Sequence, residues 1–295
     1  MIEEVKVLAP NYVELIMKFL EKCKAEKIRK LYPNELLRDD VMSILEKNSM
    51  VIYYPLEETE KNNGFLVRGL SLYGVSEECN FVFINTAKPT EKQAFAAAHE
   101  LGHIWGLSDY FAKNDIELDL ETEELVMNRF AAELMVPEGR FMENLRNVVC
   151  EIRNSKNDES TTLELDEFAH IIVMLMNVFF VPDVAIVRRL NELECITSET
   201  VNYFVNELKK PEESTFRELI RKSVNDMGYF KLLRPTQKKW INDLPELLEK
   251  AEKKGALTEE KIRMLRDSFE IKEGPANWET RSIDVTISKG RSEQQ

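Results

Sequence analysis

Phe95-Ala-Ala-Ala-His99-Glu100-Leu-Gly-His103 contains the pattern His-Glu-x-x-His, in a chain with only three histidines. On a helix, side chains four residues apart share a face one turn apart. Both imidazoles can then reach a single zinc ion, while the intervening glutamate leans over a water beside it as general base. The chemistry implied is zinc-assisted hydrolysis, with His99 and His103 as ligands and Glu100 as the proton acceptor. Histidines packed in a core without metal are the plain competing explanation, and the surrounding residues argue against it.

Those residues describe a helix built to be buried. Thr90-Glu-Lys-Gln93 reads as a capping box that starts the helix near Glu91. Phe95, Ala98, Gly102 and Trp105 recur at spacings of three and four, which gives one face to bury, and the small residues at 96, 97, 98 and 102 let other backbone come close. Gly106 is a natural stop.

A catalytic zinc has three protein ligands and leaves one position for water or substrate, so a third donor is required. Glu123-Glu124-Leu-Val-Met-Asn128-Arg-Phe-Ala-Ala-Glu-Leu-Met-Val-Pro137 reads as a second amphipathic helix, closed by Pro137. Its wheel turns Thr122, Val126, Arg129 and Glu133 outward and Met127, Phe130, Ala131, Leu134 and Met135 inward. Glu123 and Glu124 lie on the flanks, and periodicity does not choose between them. A metzincin-like alternative takes His99-Glu-x-x-His103-x-x-Gly106-x-x-Asp109, with Asp109 as third ligand. It needs a methionine turn beneath the zinc and leaves the second helix without a purpose.

The two helices together resemble the ImmA/IrrE-type zinc metallo-endopeptidases, which pair F-x-x-A-H-E-x-G-H with a later E-x-x-x-N-x-F-A-A-x-L-x-x-P. Here these read Phe95 to His103 and Glu124-Leu-Val-Met-Asn128-Arg-Phe130-Ala131-Ala132-Glu-Leu134-Met-Val-Pro137. The resemblance implies one Zn2+ held by His99, His103 and Glu124, with Glu100 as catalytic base and Asn128 supporting the site from behind. It also implies an endopeptidase whose protein substrate is a helix-turn-helix repressor of a mobile element or stress regulon. The alternative is a zinc-binding regulator that sequesters such a repressor without cutting it. Tyr73 and Tyr110 are available donors for an oxyanion.

Before the first helix, Ser49 to Tyr54, Gly64 to Tyr73 and Asn80 to Asn85 are apolar, β-branched and aromatic, and bounded by turn formers, so strands are expected. They look like the small sheet of the same family, with Asn80 to Asn85 as the candidate edge for an extended peptide. After Pro137 the pattern is helical: 138–153, 163–180 and 183–194, with a polar loop at 154–162, then 212–227, 237–253 and 258–270. Phe168 to Leu190 resembles the helix-turn-helix-like segment that follows the catalytic core in that family. Ser282 to Ser288 reads as one short strand in a frayed end.

The expected fold class is therefore α+β. A zincin-like peptidase domain over 1–137, with a small sheet packed on the HExxH helix and the second ligand helix, precedes an all-helical region. That region divides into a helix-turn-helix-like module at 138–209 and a C-terminal part at 210–295. Composition agrees with an intracellular hydrolase. The chain has 295 residues, 43% hydrophobic, opens on the acidic Met1-Ile-Glu-Glu rather than a signal peptide, and has no membrane-length apolar run, so a cytoplasmic location is expected. Cys23, Cys79, Cys150 and Cys195 lack any CxxC pairing and read as buried reduced thiols. A net charge of -13 argues against direct nucleic-acid binding. His170 in an apolar helix reads as a packing residue, and Arg188 and Arg189 as facing water.

Overall fold

The computed structural model describes residues 6–28, 36–56, 63–70, 79–156, 162–210 and 214–271. The chain divides into two compact units, Met1–Asp243 and Leu244–Gln295. The first has a small mixed sheet on one side and helices on the other, an α+β arrangement.

Among the described residues four strands form the sheet: β1 (Met50–Tyr54), β2 (Gly64–Leu70), β3 (Cys79–Asn85) and β4 (Trp240–Ile241), in the order β2-β3-β1-β4. β1 runs parallel to β3, while β2 on β3 and β4 on β1 are antiparallel. Val51, Tyr53, Val82 and Ile84 are buried, as one face of a pleated sheet covered by helices requires. On the opposite face Phe65 stacks on its cross-strand partner Phe83, with ring centroids 4.8 Å apart.

The expectation for Asn80 to Asn85 is corrected here. β2 and β4 are the end strands among the described residues, and β3 lies inside the sheet, between β2 and β1. Its unbroken apolar run Phe81-Val-Phe-Ile84 suits a strand with neighbours on both sides.

The helix expected from the His-Glu-x-x-His pattern is α3 (Thr90–Ile104), packed on β2 and β3. Two helices that the sequence analysis left unread flank the core. α1 (Pro10–Cys23) buries Ile16, Phe19, Leu20 and Cys23 against α5, and α2 (Asp40–Asn48) buries Val41, Ile44 and Leu45 against α3. After Gly106, in the left-handed region at φ 83°, come α4 (Leu107–Ala112) and α5 (Leu120–Met135). Asp119 caps α5 by accepting from the Thr122 amide at 2.7 Å.

The capping box at Thr90 to Gln93 does not form. Thr90 Oγ1 donates to the Lys231 carbonyl, Gln93 Nε2 to that of Lys88, and Gln93 Oε1 accepts from Thr236. The start of α3 is instead held by residues 231–236, which also supply a carbonyl from Arg234 to the Thr90 amide. Side chains recruited by a distant segment are not available to cap locally.

Among the described residues of the first unit there follow α6 (Glu138–Lys156), α7 (Leu165–Phe179), α8 (Asp183–Glu192), α9 (Ser198–Lys209) and α10 (Thr215–Asp226). A Glu164/Glu167 capping box opens α7, and Phe180 in the left-handed region closes it. The chain bends by 101° between α7 and α8, and no single helix among the described residues is long and apolar enough to cross a membrane. Arg189 on α8 is 1% exposed, so it does not face water as expected. Val126 and Glu133, expected outward, are buried too: Val126 packs in the core, and Glu133 pairs with Arg189.

The helix expected over 237–253 begins only at Leu244, because Trp240 and Ile241 pair with β1. Asn242 locks that pairing, donating to the carbonyls of Glu46 and Ser49 and accepting from the Val51 amide. The second unit's described helices are α11 (Leu244–Lys253), with Leu244 and Leu248 buried, and α12 (Glu259–Ser268), with Ile262 buried. The strand expected at Ser282 to Ser288 lies outside the described residues. Cys23 is buried and free, whereas Cys150 and Cys195 are exposed and free, contrary to the expectation of burial.

Candidate metal centre

The approach of α5 to α3 sets the site. A Cβ on Gly102 would lie 2.7 Å from Met127 Sδ and 3.0 Å from Phe130 Cδ1, so only glycine at that position lets the two helices come so close. Ala96, Ala97 and Ala98 are buried on the same helix. The α5 carboxylates are thereby brought over the α3 imidazoles.

His99 and His103 stand one turn apart with ring centroids 5.2 Å from each other. Glu124 Oε2 is 3.4 Å from His99 Nε2, and its Oε1 is 4.0 Å from His103 Nε2. Among the described residues, His99, His103 and Glu124 are the one group of histidine, cysteine or carboxylate side chains whose donor atoms come within 4.8 Å of one another. Bonds of about 2.0–2.2 Å in tetrahedral zinc place neighbouring donors roughly 3.3–3.6 Å apart. Two imidazole nitrogens and a carboxylate whose donor atoms lie within 4.8 Å of one another suit zinc once small side-chain adjustments bring them to bonding separation.

Each imidazole is also held from behind. His99 Nδ1 lies 3.1 Å from Asn128 Oδ1, one turn beyond Glu124 on α5. His103 Nδ1 lies 3.5 Å from Glu123 Oε1, which accepts a hydrogen bond from Ser108 Oγ at 2.6 Å. Glu123 and Glu124 therefore face different nitrogens, and Glu124 is the one placed to share an ion with both histidines. Asp109 is exposed on α4 and outside this group. Tyr110 packs its ring on Phe19 of α1, and Tyr73 lies outside the described residues. His170 is half-buried on α7.

The three candidate donors open onto a cleft of about 470 Å³. Its far wall is Gly64-Phe65-Leu66 of β2, and Glu100, 4% exposed, lies between the two histidines along α3. The sequence analysis missed this wall and Ser108. Period-two patterning gives strands but not sheet order, and Ser108 reaches Glu123 only because Gly106 turns the chain in the left-handed region.

Charge reinforces the geometry. Burial pulls the His99 pKa down, but the hydrogen bond with Glu124 and the nearby Glu100 carboxylate outweigh it, and His99 sits above the ordinary imidazole range. The same hydrogen bond holds Glu124 below the usual carboxylate range against its partial burial. The cleft is thus an anionic socket that attracts a cation, and a metal ion bound there competes with the proton on His99.

A sheet-backed helix with paired imidazoles, met by a carboxylate from a second helix, defines a metallopeptidase-type domain. Residues 60–191 match the model of the Peptidase_M78 family, described as the IrrE N-terminal-like domain. Over that stretch the chain is similar to this family, in keeping with the ImmA/IrrE resemblance. β2 through most of α8 lie inside the match, while α1, α2, β1 and everything after residue 191 lie outside it. No curated protein matches the chain.

Proposed function

We propose that the protein is a cytoplasmic zinc-dependent endopeptidase that cleaves a specific protein, a helix-turn-helix transcriptional repressor of a mobile element or stress regulon. The observation that supports this most is the convergence of His99, His103 and Glu124 on one point of a cleft with Glu100 beside them, within a peptidase-family domain. His99, His103 and Glu124 would hold a single zinc, which when bound would supply a Lewis acid to polarise a carbonyl and acidify water.

The chain's own residues do the rest. Glu100 accepts the proton of the attacking water and passes it to the departing amine, so each peptide bond cleaved returns the carboxylate unchanged. Asn128 fixes the ring of His99. An extended substrate segment pairs with the main chain of β2, the strand that both ends the sheet among the described residues and walls the cleft. The net charge of -13 favours a basic protein partner over nucleic acid.

The experiment is to incubate the zinc-loaded chain with any helix-turn-helix repressor found encoded in a neighbouring reading frame and follow cleavage by mass spectrometry. Glu100→Gln should keep zinc and repressor binding but lose about 10²–10⁴-fold in cleavage rate. Cleavage by Glu100→Gln at the wild-type rate removes the protease reading. Repressor binding with no cleavage by the wild type favours sequestration instead.

A further inference from the structure

The two imidazoles of the site are backed by different chemistry. Behind His99 stands a neutral carboxamide, Asn128. Behind His103 stands a carboxylate, Glu123, with Nδ1 to Oε1 at 3.5 Å. Glu123 and Glu124 are consecutive on α5, so their side chains diverge by about 100° around the helix, and they flank opposite edges of one ring: Glu124 toward Nε2, Glu123 toward Nδ1. Exposure separates them as well, 22% for the Glu123 side chain against 62% for Glu124, so the charge of Glu123 is the less screened. Glu123 is itself held, since Oε1 accepts from Ser108 Oγ at 2.6 Å.

The geometry points to Glu123 as a positioning residue for metal binding, in a relay Ser108–Glu123–His103 that orients His103 and strengthens it as a donor. This rests on the zinc reading above. With Nδ1–H directed at a carboxylate, the ring is fixed in the tautomer that leaves Nε2 free for the ion, and the anion raises the electron density on that nitrogen. Asn128 supplies orientation to His99 without charge. Gly106 gains a purpose too: its left-handed turn starts α4 where Ser108 can reach α5.

The full chain is titrated with zinc against a competing chelator, as wild type, Glu123→Ala, Glu123→Gln and Ser108→Ala. Glu123→Ala should weaken zinc binding about 10–100-fold. Glu123→Gln, which keeps an acceptor and drops the charge, and Ser108→Ala should fall between it and wild type. In the zinc-loaded chain labelled with 15N-histidine, only three imidazoles contribute. The Nδ1–H resonance of His103 should be lost in Glu123→Ala, with that of His99 retained.

Unchanged zinc affinity in Glu123→Ala, or an unaltered His103 resonance, overturns the relay. So does a drop in the thermal midpoint of the metal-free variant with both resonances lost, because Glu123 would then be supporting α5 in general. A wild-type chain that holds no zinc overturns the relay together with the reading beneath it.

Discussion

Glu133 of α5 and Arg189 of α8 meet in a two-pronged ion pair, Oε1 to Nη1 and Oε2 to Nη2, both 2.7 Å, with side chains 5% and 1% exposed. Arg129 and Glu192 extend it, and Arg189 Nε donates to the Val136 carbonyl. The helix that carries Glu124 is thereby fastened to α8. Removing one partner leaves a buried charge uncompensated, so Glu133→Ala should lower unfolding stability by about 3–5 kcal/mol, whereas Glu133→Leu with Arg189→Met should recover most of it. Urea denaturation followed by circular dichroism reads both. A Glu133→Ala variant with the wild-type midpoint would show the pair to be inert.

That pair also marks the limit of what the sequence reveals. The candidate metal ligands on α3 are legible because their spacing is local, four residues on one helix. Periodicity leaves the partner carboxylate a choice between Glu123 and Glu124, since its selection depends on how α5 crosses α3, and only the family resemblance picks Glu124. Glu133 reads as an outward residue because a helical wheel does not contain Arg189, 56 residues later. β4 is two residues long and owes its place to the amide of Asn242 rather than to any alternation. The start of α3 misleads for the same reason, its polar groups being claimed by residues 231–236.

Gly102 tests whether the approach of the two helices sets the metal site. Replacing a helical glycine with alanine gains about 1 kcal/mol of helix propensity. The added Cβ meets Met127 and Phe130, and the Phe130 ring is already packed against Phe19 and Trp105. Overpacking of this kind costs about 1–3 kcal/mol, so the thermal midpoint of Gly102→Ala should fall modestly at most. Zinc affinity should fall clearly, because Glu124 is pushed away from His103. Wild-type affinity in that variant would mean that the site tolerates a wider separation.

The third ligand is tested by metal content. Glu124→Ala should lose zinc on gel filtration, since two imidazoles alone do not make a catalytic zinc set. Asp109→Ala should retain it, because Asp109 is exposed and apart from the group. Asn128→Ala should bind about 10–100-fold more weakly. Elemental analysis of the purified variants decides, and zinc lost from Asp109→Ala but kept in Glu124→Ala would reverse the assignment.

Glu91 gives the fold a pH dependence separate from the metal. It is fully buried at the start of α3, facing the Leu233 amide at 3.2–3.3 Å, and burial pushes its carboxyl from an ordinary 4.5 up to about 7. Below pH 4.5 both folded and unfolded chains hold the proton, and the favourable contribution is complete. Between 4.5 and 7 the unfolded chain ionises while the folded one keeps its proton, so stability is lost as pH rises, by at most about 3 kcal/mol. Above 7 both are ionised and the loss is complete. Glu91→Gln mimics the protonated form, so its stability relative to wild type should rise between pH 5 and 8 and level off beyond. Urea midpoints of the metal-free proteins across that range measure it, and parallel curves would place Glu91 at an ordinary pKa.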